Sequence, residues 1–197
     1  MPTGTDRPLT TAQEARRQRV IDAAMDLALE GGYEAVQMRD VATQAGVAMG
    51  TVYRYFSSKD HLLAAAAVYW VEQLEVRLST KPAFGATPAE RVTEVLGRAL
   101  RVLARQPQLG TAVFAALSSP EPAAVESQMQ ISSIMESIVS KAIGEPAPAG
   151  VEERSRMIGH VWYSAMTGWV NGWSNVDRVY GELEIAADLL LPTTLTS

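Results

Sequence analysis

Apolar residues recur at helical spacing along almost the whole chain, and no stretch alternates apolar and polar residues as a half-buried β-strand does. Thr11 and Glu14 are predicted to form a capping box at the start of the first helix. Glycine and proline then divide the pattern into nine predicted helices, at about 11–32, 38–45, 48–55, 58–79, 88–105, 107–117, 120–143, 151–175 and 178–191. We therefore expect an all-α protein in which a small three-helix unit, residues 12–60, precedes a larger helical bundle, residues 61–197.

The composition excludes several classes of site. There is no cysteine, which excludes disulfides and thiolate chemistry, and the two histidines, His61 and His160, are too few for a histidine-rich metal site. With 47% apolar and 20% charged residues, the chain has the balance of a globular protein. A net charge of −5 argues against a protein that coats nucleic acid over its whole surface. No cofactor is expected.

No segment of the sequence has the length and apolar character of a membrane span. The longest uninterrupted apolar run, Leu62–Val71, has ten residues. A helix that spans a bilayer needs roughly 20. The N-terminal segment contains no apolar core of a secretory signal. We expect a cytoplasmic protein without a membrane partner.

The stretch GVAMGTVYRYFSSKD, residues 46–60, begins at a glycine between two short predicted helices. Ala42 is small where the two helices would touch, and Gly46 allows a turn conformation that a β-carbon resists. Three valines would fill the small core between the helices: Val41, Val47 and Val52. This is the pattern of a helix-turn-helix, whose second helix enters the major groove of DNA. The spacing alone also fits an αα-hairpin packed inside a larger bundle.

The residue types favour DNA over a merely packed hairpin. The second short helix carries hydroxyl and cationic groups that bind phosphate oxygens and base edges, namely Thr51, Tyr53, Arg54 and Tyr55. No acidic residue occurs between Asp40 and Asp60, so this part of an acidic protein is compatible with a polyanion. Met49 lies beside the apolar face on a helical wheel, and it is either core filler or, at the helix N-terminus, directed at the groove. We predict double-stranded DNA as a partner.

Residues 31–63, GGYEAVQMRDVATQAGVAMGTVYRYFSSKDHLL, resemble the DNA-binding region of the TetR family of one-component bacterial repressors. The resemblance covers about residues 12–75 and rests most on G-V-x-x-G-T-V-Y-R-Y-F-x-S-K, with R-D-V-A just before it. It implies a homodimer that binds an operator through this region and holds an inducer pocket beneath the fourth helix.

The resemblance also implies roles for individual residues. Three positions match residues that reach or approach base edges: Arg39, Gly50 and Thr51. Two match residues that contact the phosphate backbone, Tyr53 and Lys59, and the positive end of the fourth helix would aid the lysine. Two more match positions at which other members contact DNA: Arg54 and Tyr55. Gln37 departs from the capping Ser or Thr of many members.

Two stripes in the C-terminal helices predict a dimer interface. Small residues occupy every fourth position of one helix: Ser164, Gly168 and Gly172. Interior glycines cost a helix about 1 kcal/mol each relative to alanine, and close approach of another helix would offset that cost. The last helix has apolar residues at i, i+4, i+7 and i+11: Val179, Leu183, Ala186 and Leu190. Two such helices from each copy would form a four-helix interface; packing within one chain is the alternative.

Large, adaptable apolar side chains are predicted to line a ligand pocket in the C-terminal bundle. They are Trp70, Phe114, Met129, Met135, Trp162, Met166 and Trp169, with Trp173 on the same helix as the last three. Any one of them taken singly is more typical of a core, but the TetR resemblance implies a pocket in this body. Candidate polar contacts are His160, Tyr163, Asn171 and Asn175.

The segments GGYEAVQM, TVYRYF and VWYSAMTGW are similar to actinobacterial TetR-type repressors of sterol and cholesterol catabolism. This similarity implies a sterol-derived acid or its CoA thioester as the small hydrophobic effector. The resulting prediction is a non-enzymatic repressor that binds a palindromic operator as a homodimer and is released by such an effector.

Three alternatives stay open. One is a multidrug- or fatty-acyl-responsive TetR regulator, and another is a lipophilic-ligand carrier or adaptor without DNA binding. The third is an all-helical enzyme, for which His160 and Ser164, spaced i, i+4, are the candidate pair; no catalytic motif supports it.

Overall fold

The computed structural model describes residues 9–192, and this part of the chain forms nine α-helices and no β-strand. The all-α prediction is confirmed. The helices are α1 (Thr11–Ala35), α2 (Met38–Gln44), α3 (Met49–Tyr55), α4 (Lys59–Ser79), α5 (Pro88–Ala104), α6 (Pro107–Leu117), α7 (Pro122–Ile143), α8 (Val151–Val170) and α9 (Val176–Leu190). Residues 1–8 lie outside the described range, as do residues 193–197, with which the predicted second domain ends.

The start and the interruption of α1 follow from its local sequence. The pair Gly31–Gly32 was predicted to end the first helix but only interrupts it: both residues have non-helical φ/ψ, Gly32 adopts a φ of 68°, and α1 then continues to Ala35. The capping box lies one residue earlier than predicted. Thr10 Oγ1 accepts from the Gln13 backbone N–H, and the Gln13 side chain accepts from the Thr10 N–H. The predicted pair, Thr11 and Glu14, was wrong because both lie inside the helix.

α8 ends at Val170, before the predicted end at residue 175. Gly172 adopts a φ of 77°, which a continuing helix does not have. The Asn175 side chain then accepts a hydrogen bond from the Arg178 N–H at 2.9 Å and caps the start of α9. Residues 171–175 therefore form a turn, and the small-residue stripe does not continue along a helix to Gly172.

The helices pack around two main apolar clusters that meet along α4. The first cluster joins α1, α2, α3 and the beginning of α4 to α6, and Phe56 and Leu62 are among its fully buried side chains. The second joins the end of α4 to α5, α7, α8 and α9. The segment from Leu62 to Val68 is buried at every position, which explains why it is apolar on all sides. α4 therefore belongs to both halves of the molecule.

α6 packs against α1, across the predicted domain boundary between residues 60 and 61. Leu109, Ala112 and Ala116 of α6 are buried in the same cluster as the core of the three N-terminal helices. The small N-terminal unit therefore completes its core with side chains from α4 and α6.

None of the helices within residues 9–192 combines the length and the apolar character that crossing a membrane requires.

Two exposed glycines should respond oppositely to substitution by alanine. Gly46 has a φ of 64° in the turn between α2 and α3, and Gly50 lies in α3; an added Cβ would meet nothing within 4 Å at either position. Gly46→Ala should lower the free energy of unfolding by about 1–2 kcal/mol, because an L side chain is strained at positive φ. Gly50→Ala should leave it unchanged or raise it by up to about 1 kcal/mol. Urea unfolding followed by circular dichroism measures both; equal effects would contradict the turn geometry.

Candidate DNA-binding surface and ligand cavity

A glycine turn joins α2 to α3 and sets the angle between them. Gly46 has positive φ, and the Val47 N–H donates to the Ala42 carbonyl at 3.0 Å. Three side chains are buried where the two helices meet the rest of the N-terminal core: Val41, Ala42 and Val52. The helix-turn-helix prediction is confirmed, with the small alanine and the glycine in the places where the sequence put them.

None of the eight predicted DNA-binding residues is buried. Five are exposed: Arg39, Met49, Gly50, Tyr53 and Arg54. Three are half-buried: Thr51, Tyr55 and Lys59. α3 turns Val52 into the core, followed by the fully buried Phe56, so its other side faces solvent along its whole length. Met49 is 37% exposed, so it is no core residue and stands at the solvent-facing start of α3.

Arg54 and Tyr55 form one contact unit at the end of α3. The guanidinium carbon of Arg54 lies 5.1 Å from the centroid of the Tyr55 ring, and its Nη2 donates to the Tyr55 hydroxyl at 3.2 Å. Tyr55 in turn packs partly against the N-terminal core. The tyrosine therefore restricts the orientation of the arginine, which lowers the entropy that a contact with DNA would cost.

Lys59, the first residue of α4, is engaged within the chain. Its Nζ donates to the Tyr33 carbonyl at 3.1 Å and lies 3.7 Å from the centroid of the Tyr33 ring. The Tyr33 hydroxyl donates to the Asp60 carboxylate. Burial of the hydroxyl is the larger cause, and this hydrogen bond the second, of a rise in the pKa of Tyr33 to about 12. The ammonium group has three donors, so the carbonyl contact leaves others for a phosphate, and that role stays a prediction.

A cavity of about 330 Å³ lies between α4, α6, α7 and α8. Its volume is in the range of small-molecule pockets, about 300–1,000 Å³. Four predicted apolar residues line it: Trp70, Phe114, Met135 and Trp162. Two predicted polar contacts, His160 and Tyr163, also line it, and the Tyr163 ring stacks on that of Phe114 with centroids 5.8 Å apart. The cavity lies directly beneath the helix that follows the DNA-binding unit.

Three predicted pocket residues lie elsewhere, so their assignment was wrong. Met129 projects from α7 with 70% of its side chain exposed, and Met166 is fully buried in the core. Trp169 covers Gly110, where an added Cβ would lie 3.3 Å from the indole ring. Successive residues of a helix point about 100° apart, so the helix orientation decides which of them reaches the cavity. Two predicted polar contacts, Asn171 and Asn175, lie beyond the end of α8 and outside the cavity.

The cavity also has a polar rim, most of which was not predicted from the sequence. On α7 it consists of Gln128, Ser132 and Glu136, at i, i+4 and i+8; on α8 Arg156 precedes the predicted His160 by one turn. Ser132, Arg156 and His160 are exposed, so the cavity opens between α7 and α8. Arg156 forms no ion pair with any residue in the range 9–192. The i, i+4 spacing on each helix was visible in the sequence, but no sequence pattern showed that these faces of α7 and α8 lie on the same cavity.

Most of the predicted dimer-interface residues are used within the chain. Val179, Leu183 and Ala186 are buried, and Leu190 packs partly against the cluster that α9 shares with α5 and α8. A Cβ at Gly168 would lie 2.7 Å from the ring of Trp173, which covers this glycine. The prediction was therefore wrong for Val179, Leu183, Ala186 and Gly168, because their own chain already covers them. Leu190, which is half-buried, and Gly172, which is exposed in the turn after α8, stay predictions. Ser164 is exposed.

A different set of side chains faces solvent on these two helices. On α8, Met157, Val161 and Ser164 recur at i, i+4 and i+7, and on α9 Ile185 and Leu189 are 62% and 76% exposed. We call these five residues the α8–α9 strip. Val161 is half-buried, whereas the other three apolar side chains of the strip are exposed. Exposed large apolar side chains that form a patch mark an interaction surface.

No group of three or more His, Asp or Glu side chains able to hold a metal ion occurs in the part of the chain that the structure describes. The site is therefore a surface of hydroxyl and cationic groups above an apolar cavity.

Two family models match the sequence. The first, described as bacterial regulatory proteins of the tetR family, matches residues 20–66, and the second, described as a tetracyclin repressor-like C-terminal domain, matches residues 85–190. The HTH-type transcriptional repressor KstR of Rhodococcus jostii (strain RHA1) is 36% identical over 189 residues, which cover 95% of this chain and 88% of that repressor.

Solved structures agree with these matches. The crystal structure of a TetR transcriptional regulator from Rhodococcus sp. RHA1 is 33% identical, with a TM-score of 0.82 over 93% of this chain and 99% of that one. FadR of Bacillus subtilis, solved in complex with stearoyl-CoA, shares the fold with a TM-score of 0.61 at 24% identity, over 89% of this chain and 95% of that one. Since the relatives are named as regulators, the enzyme alternative is excluded. The chain belongs to the TetR family of bacterial transcriptional regulators and is a TetR-type repressor similar to KstR.

Proposed function

We propose that this repressor binds a palindromic operator as a homodimer and releases it when an amphipathic effector with an acidic head group enters the cavity. The observation that carries the proposal is the position of that cavity: Ala67, Trp70, Val71 and Leu74 of α4 form part of its wall, while the first residue of the same helix is Lys59. One helix thus contacts both the ligand and the DNA-binding unit.

The proposed DNA contacts divide into two kinds. Arg39, Gly50 and Thr51 stand where base edges would be read, and Tyr53 and Lys59 stand where phosphates would bind. A helix-turn-helix of this kind pairs with a second copy to read two half-sites separated by one helical turn or multiples of it. A regulator acting on chromosomal DNA would work in the cytoplasm.

The α8–α9 strip is the proposed dimer interface. The strip combines three exposed apolar side chains, Met157, Ile185 and Leu189, with the half-buried Val161 and the small Ser164. The small serine would let a helix of the second copy approach α8 closely. The interface would be isologous, because two copies related by a twofold axis present the same strip to each other. The palindromic operator follows from the same twofold symmetry.

The effector is proposed to be a sterol-derived acid or its CoA thioester. An apolar cavity with Arg156 and His160 at its mouth suits a hydrophobic body that ends in an acidic group. The resemblance of the N-terminal region to repressors of sterol catabolism favours a sterol body. A fatty-acyl-CoA is the second candidate, because FadR of Bacillus subtilis, which has the same fold, was solved with stearoyl-CoA.

Release requires a difference in affinity rather than affinity alone. The effector must bind the conformation that cannot engage DNA more tightly than the one that can. Moving an equilibrium from 1:99 to 99:1 takes a preference of about 10⁴-fold, roughly 5.5 kcal/mol. A sterol or acyl body supplies this preference if the conformation that cannot engage DNA buries about 220 Å² more of its apolar surface than the other does, at about 25 cal/mol per Å².

Substitutions at the DNA-binding surface should weaken operator binding without unfolding the protein. Arg39→Ala should weaken binding about 5- to 150-fold if the arginine reads a base, since such a contact contributes about 1–3 kcal/mol. Tyr53→Phe removes one hydroxyl and should weaken binding about 2- to 10-fold. Fluorescence anisotropy on DNA selected from a random pool measures both. Arg77→Ala, on the exposed end of α4, is the control; equal affinities for all four proteins would contradict the DNA surface.

A charge in the α8–α9 strip should separate the dimer. Leu189→Glu places two carboxylates opposite each other across the proposed twofold interface, so sedimentation should show a monomer and operator affinity should fall steeply. Val76→Glu is the matched control, because Val76 is similarly exposed, at 58%, on α4. If Leu189→Glu stays dimeric, the interface lies elsewhere.

Arg156 should contribute to the binding of acidic effectors but not to the binding of neutral ones. Arg156→Ala should bind stearoyl-CoA and lithocholoyl-CoA about 10- to 150-fold more weakly, since hydrogen bonds to charged groups contribute about 1.5–3 kcal/mol. The methyl esters of the two acids should bind wild type and variant alike. Quenching of tryptophan fluorescence reports occupancy, because Trp70 and Trp162 line the cavity. Unchanged thioester binding by the variant would remove Arg156 from the site, and Arg77→Ala is again the control.

A further inference from the structure

A cluster of polar side chains joins the beginning of α4 to the beginning of α7. The hydroxyl groups of Ser57 and Ser58 both donate to the Glu121 carboxylate, one to each of its oxygens. Ser58 also caps α4, since its Oγ accepts from the His61 N–H at 3.0 Å. Glu121 is the residue before α7 and makes no capping hydrogen bond to its own helix. We call Ser57, Ser58 and Glu121 the serine–glutamate cluster.

The charge state of the cluster follows from its partners. Hydrogen bonds from Ser57 and Ser58 lower the pKa of Glu121, so the group is a carboxylate at neutral pH and accepts both hydroxyls. His61 Nδ1 lies 3.1 Å from the Ser57 Oγ and 3.2 Å from the Ser57 nitrogen, which donates to it. Burial lowers the pKa of His61 in spite of the nearby Glu121, which suits a neutral ring that accepts from that N–H.

The serine–glutamate cluster lies beside the wall of the ligand cavity. A small apolar cluster of Ala64, Ala67, Leu117 and Ala124 packs α4, the end of α6 and the first turn of α7 together. Ala67 and Leu117 also line the cavity, and so do Gln128 and Ile131 on the following turns of α7. A continuous set of contacts therefore runs from the cavity to the serines that begin α4.

No other described hydrogen bond between side chains connects the segment 56–60, which leads from α3 into α4, to the C-terminal bundle. Apolar contacts also join this end of α4 to α6 and α7, as in the cluster around Ala64 and Leu117. Other polar contacts between α4 and α7 lie several turns away, where Glu75 accepts from Ser137 and Lys141. Apolar contacts permit sliding, because the hydrophobic effect is non-directional, whereas two hydrogen bonds to one carboxylate fix a position.

We propose that Glu121 is the positioning residue through which the cavity controls the DNA-binding unit. An effector that moves α7 relative to α4 moves the carboxylate, and the carboxylate moves Ser57 and Ser58 at the junction between α3 and α4. In the absence of an effector, the same two hydrogen bonds hold the orientation of α3 that the operator requires. The inference rests on the proposed function and names the contact that couples its two sites.

The first test needs no effector. Operator affinity is measured for wild type, Ser57→Ala, Glu121→Ala and the double variant; Ser57 is chosen because Ser58 also caps α4. Each single variant should bind about 3- to 10-fold more weakly, and the double variant no more weakly than the weaker single one, because both remove the same hydrogen bond. Glu126→Ala, an exposed acid on the same helix, should bind as wild type does. Additive effects, or none, would overturn the proposal.

The second test measures coupling. Stearoyl-CoA or lithocholoyl-CoA should weaken operator binding by the wild type about 5- to 150-fold, the usual range of allosteric coupling. In Glu121→Ala the thioester should weaken operator binding less than about threefold. Tryptophan fluorescence should show that the thioester itself still binds as it does to the wild type. Glu121→Gln keeps the shape of the side chain and one good acceptor. The thioester should therefore weaken its operator binding by an amount between those of the wild type and Glu121→Ala. An unchanged factor in Glu121→Ala would overturn the proposal.

Hydrogen exchange separates failure of this inference from failure of the proposed function. In protein without DNA or effector, Glu121→Ala should accelerate exchange of the amides in the first turn of α4, while exchange in the middle of α5 stays as in the wild type. This result is expected even if the chosen thioesters are not effectors. If exchange at the start of α4 is unchanged in a folded variant, the cluster does not hold this helix and the proposal fails.

Discussion

The burial of α4 between two apolar clusters is the constraint on which the rest of the structure depends. Leu62 and Leu63 are fully buried and every residue from Leu62 to Val68 is buried; each fully buried apolar side chain contributes about 1.5–3 kcal/mol. The first part of the helix completes the core of the DNA-binding unit, and its later part forms a wall of the cavity. A movement of one half of the molecule can therefore reach the other through this helix, and through α6, whose Leu109 belongs to the first cluster and also lines the cavity.

Apolar packing holds these elements together, but polar contacts decide how they are oriented. Lys59 ties the start of α4 to the Tyr33 carbonyl near the end of α1, and Glu121 ties the same segment to α7 through Ser57 and Ser58. Each contact joins residues far apart in sequence and sits at the end of a helix, where a small displacement has the largest effect on direction. The proposed dimeric repressor needs this combination, because the distance between the DNA-binding units of its two copies would have to be defined and yet change when a ligand binds.

The predictions that succeeded depended on neighbours in sequence. The turn at Gly46 needs a positive φ, which glycine adopts without strain, so the residue type alone predicts it. The lack of acids and the hydroxyl groups of α3 can be read from its seven consecutive residues. The pocket and interface predictions that failed depended on which way a helix faces. Met166, Trp169 and Trp162 looked equivalent along α8, yet one is core, one covers Gly110 and one lines the cavity. Successive side chains of a helix point about 100° apart. Only the packing of the whole helix decides which of them faces the cavity.

The sequence by itself determined the helical class and the helix-turn-helix, because propensity, capping and turn chemistry act over a few residues. The side chains that contact DNA stay a prediction. Tertiary structure alone decided that the stripe of α9 serves the monomer core, that Trp173 covers Gly168, and that Arg156 meets α7 across a cavity. These outcomes arise from competition among several faces for the same partner surface. Which face packs against that surface depends on the shape of the whole bundle, and no local sequence pattern specifies that shape.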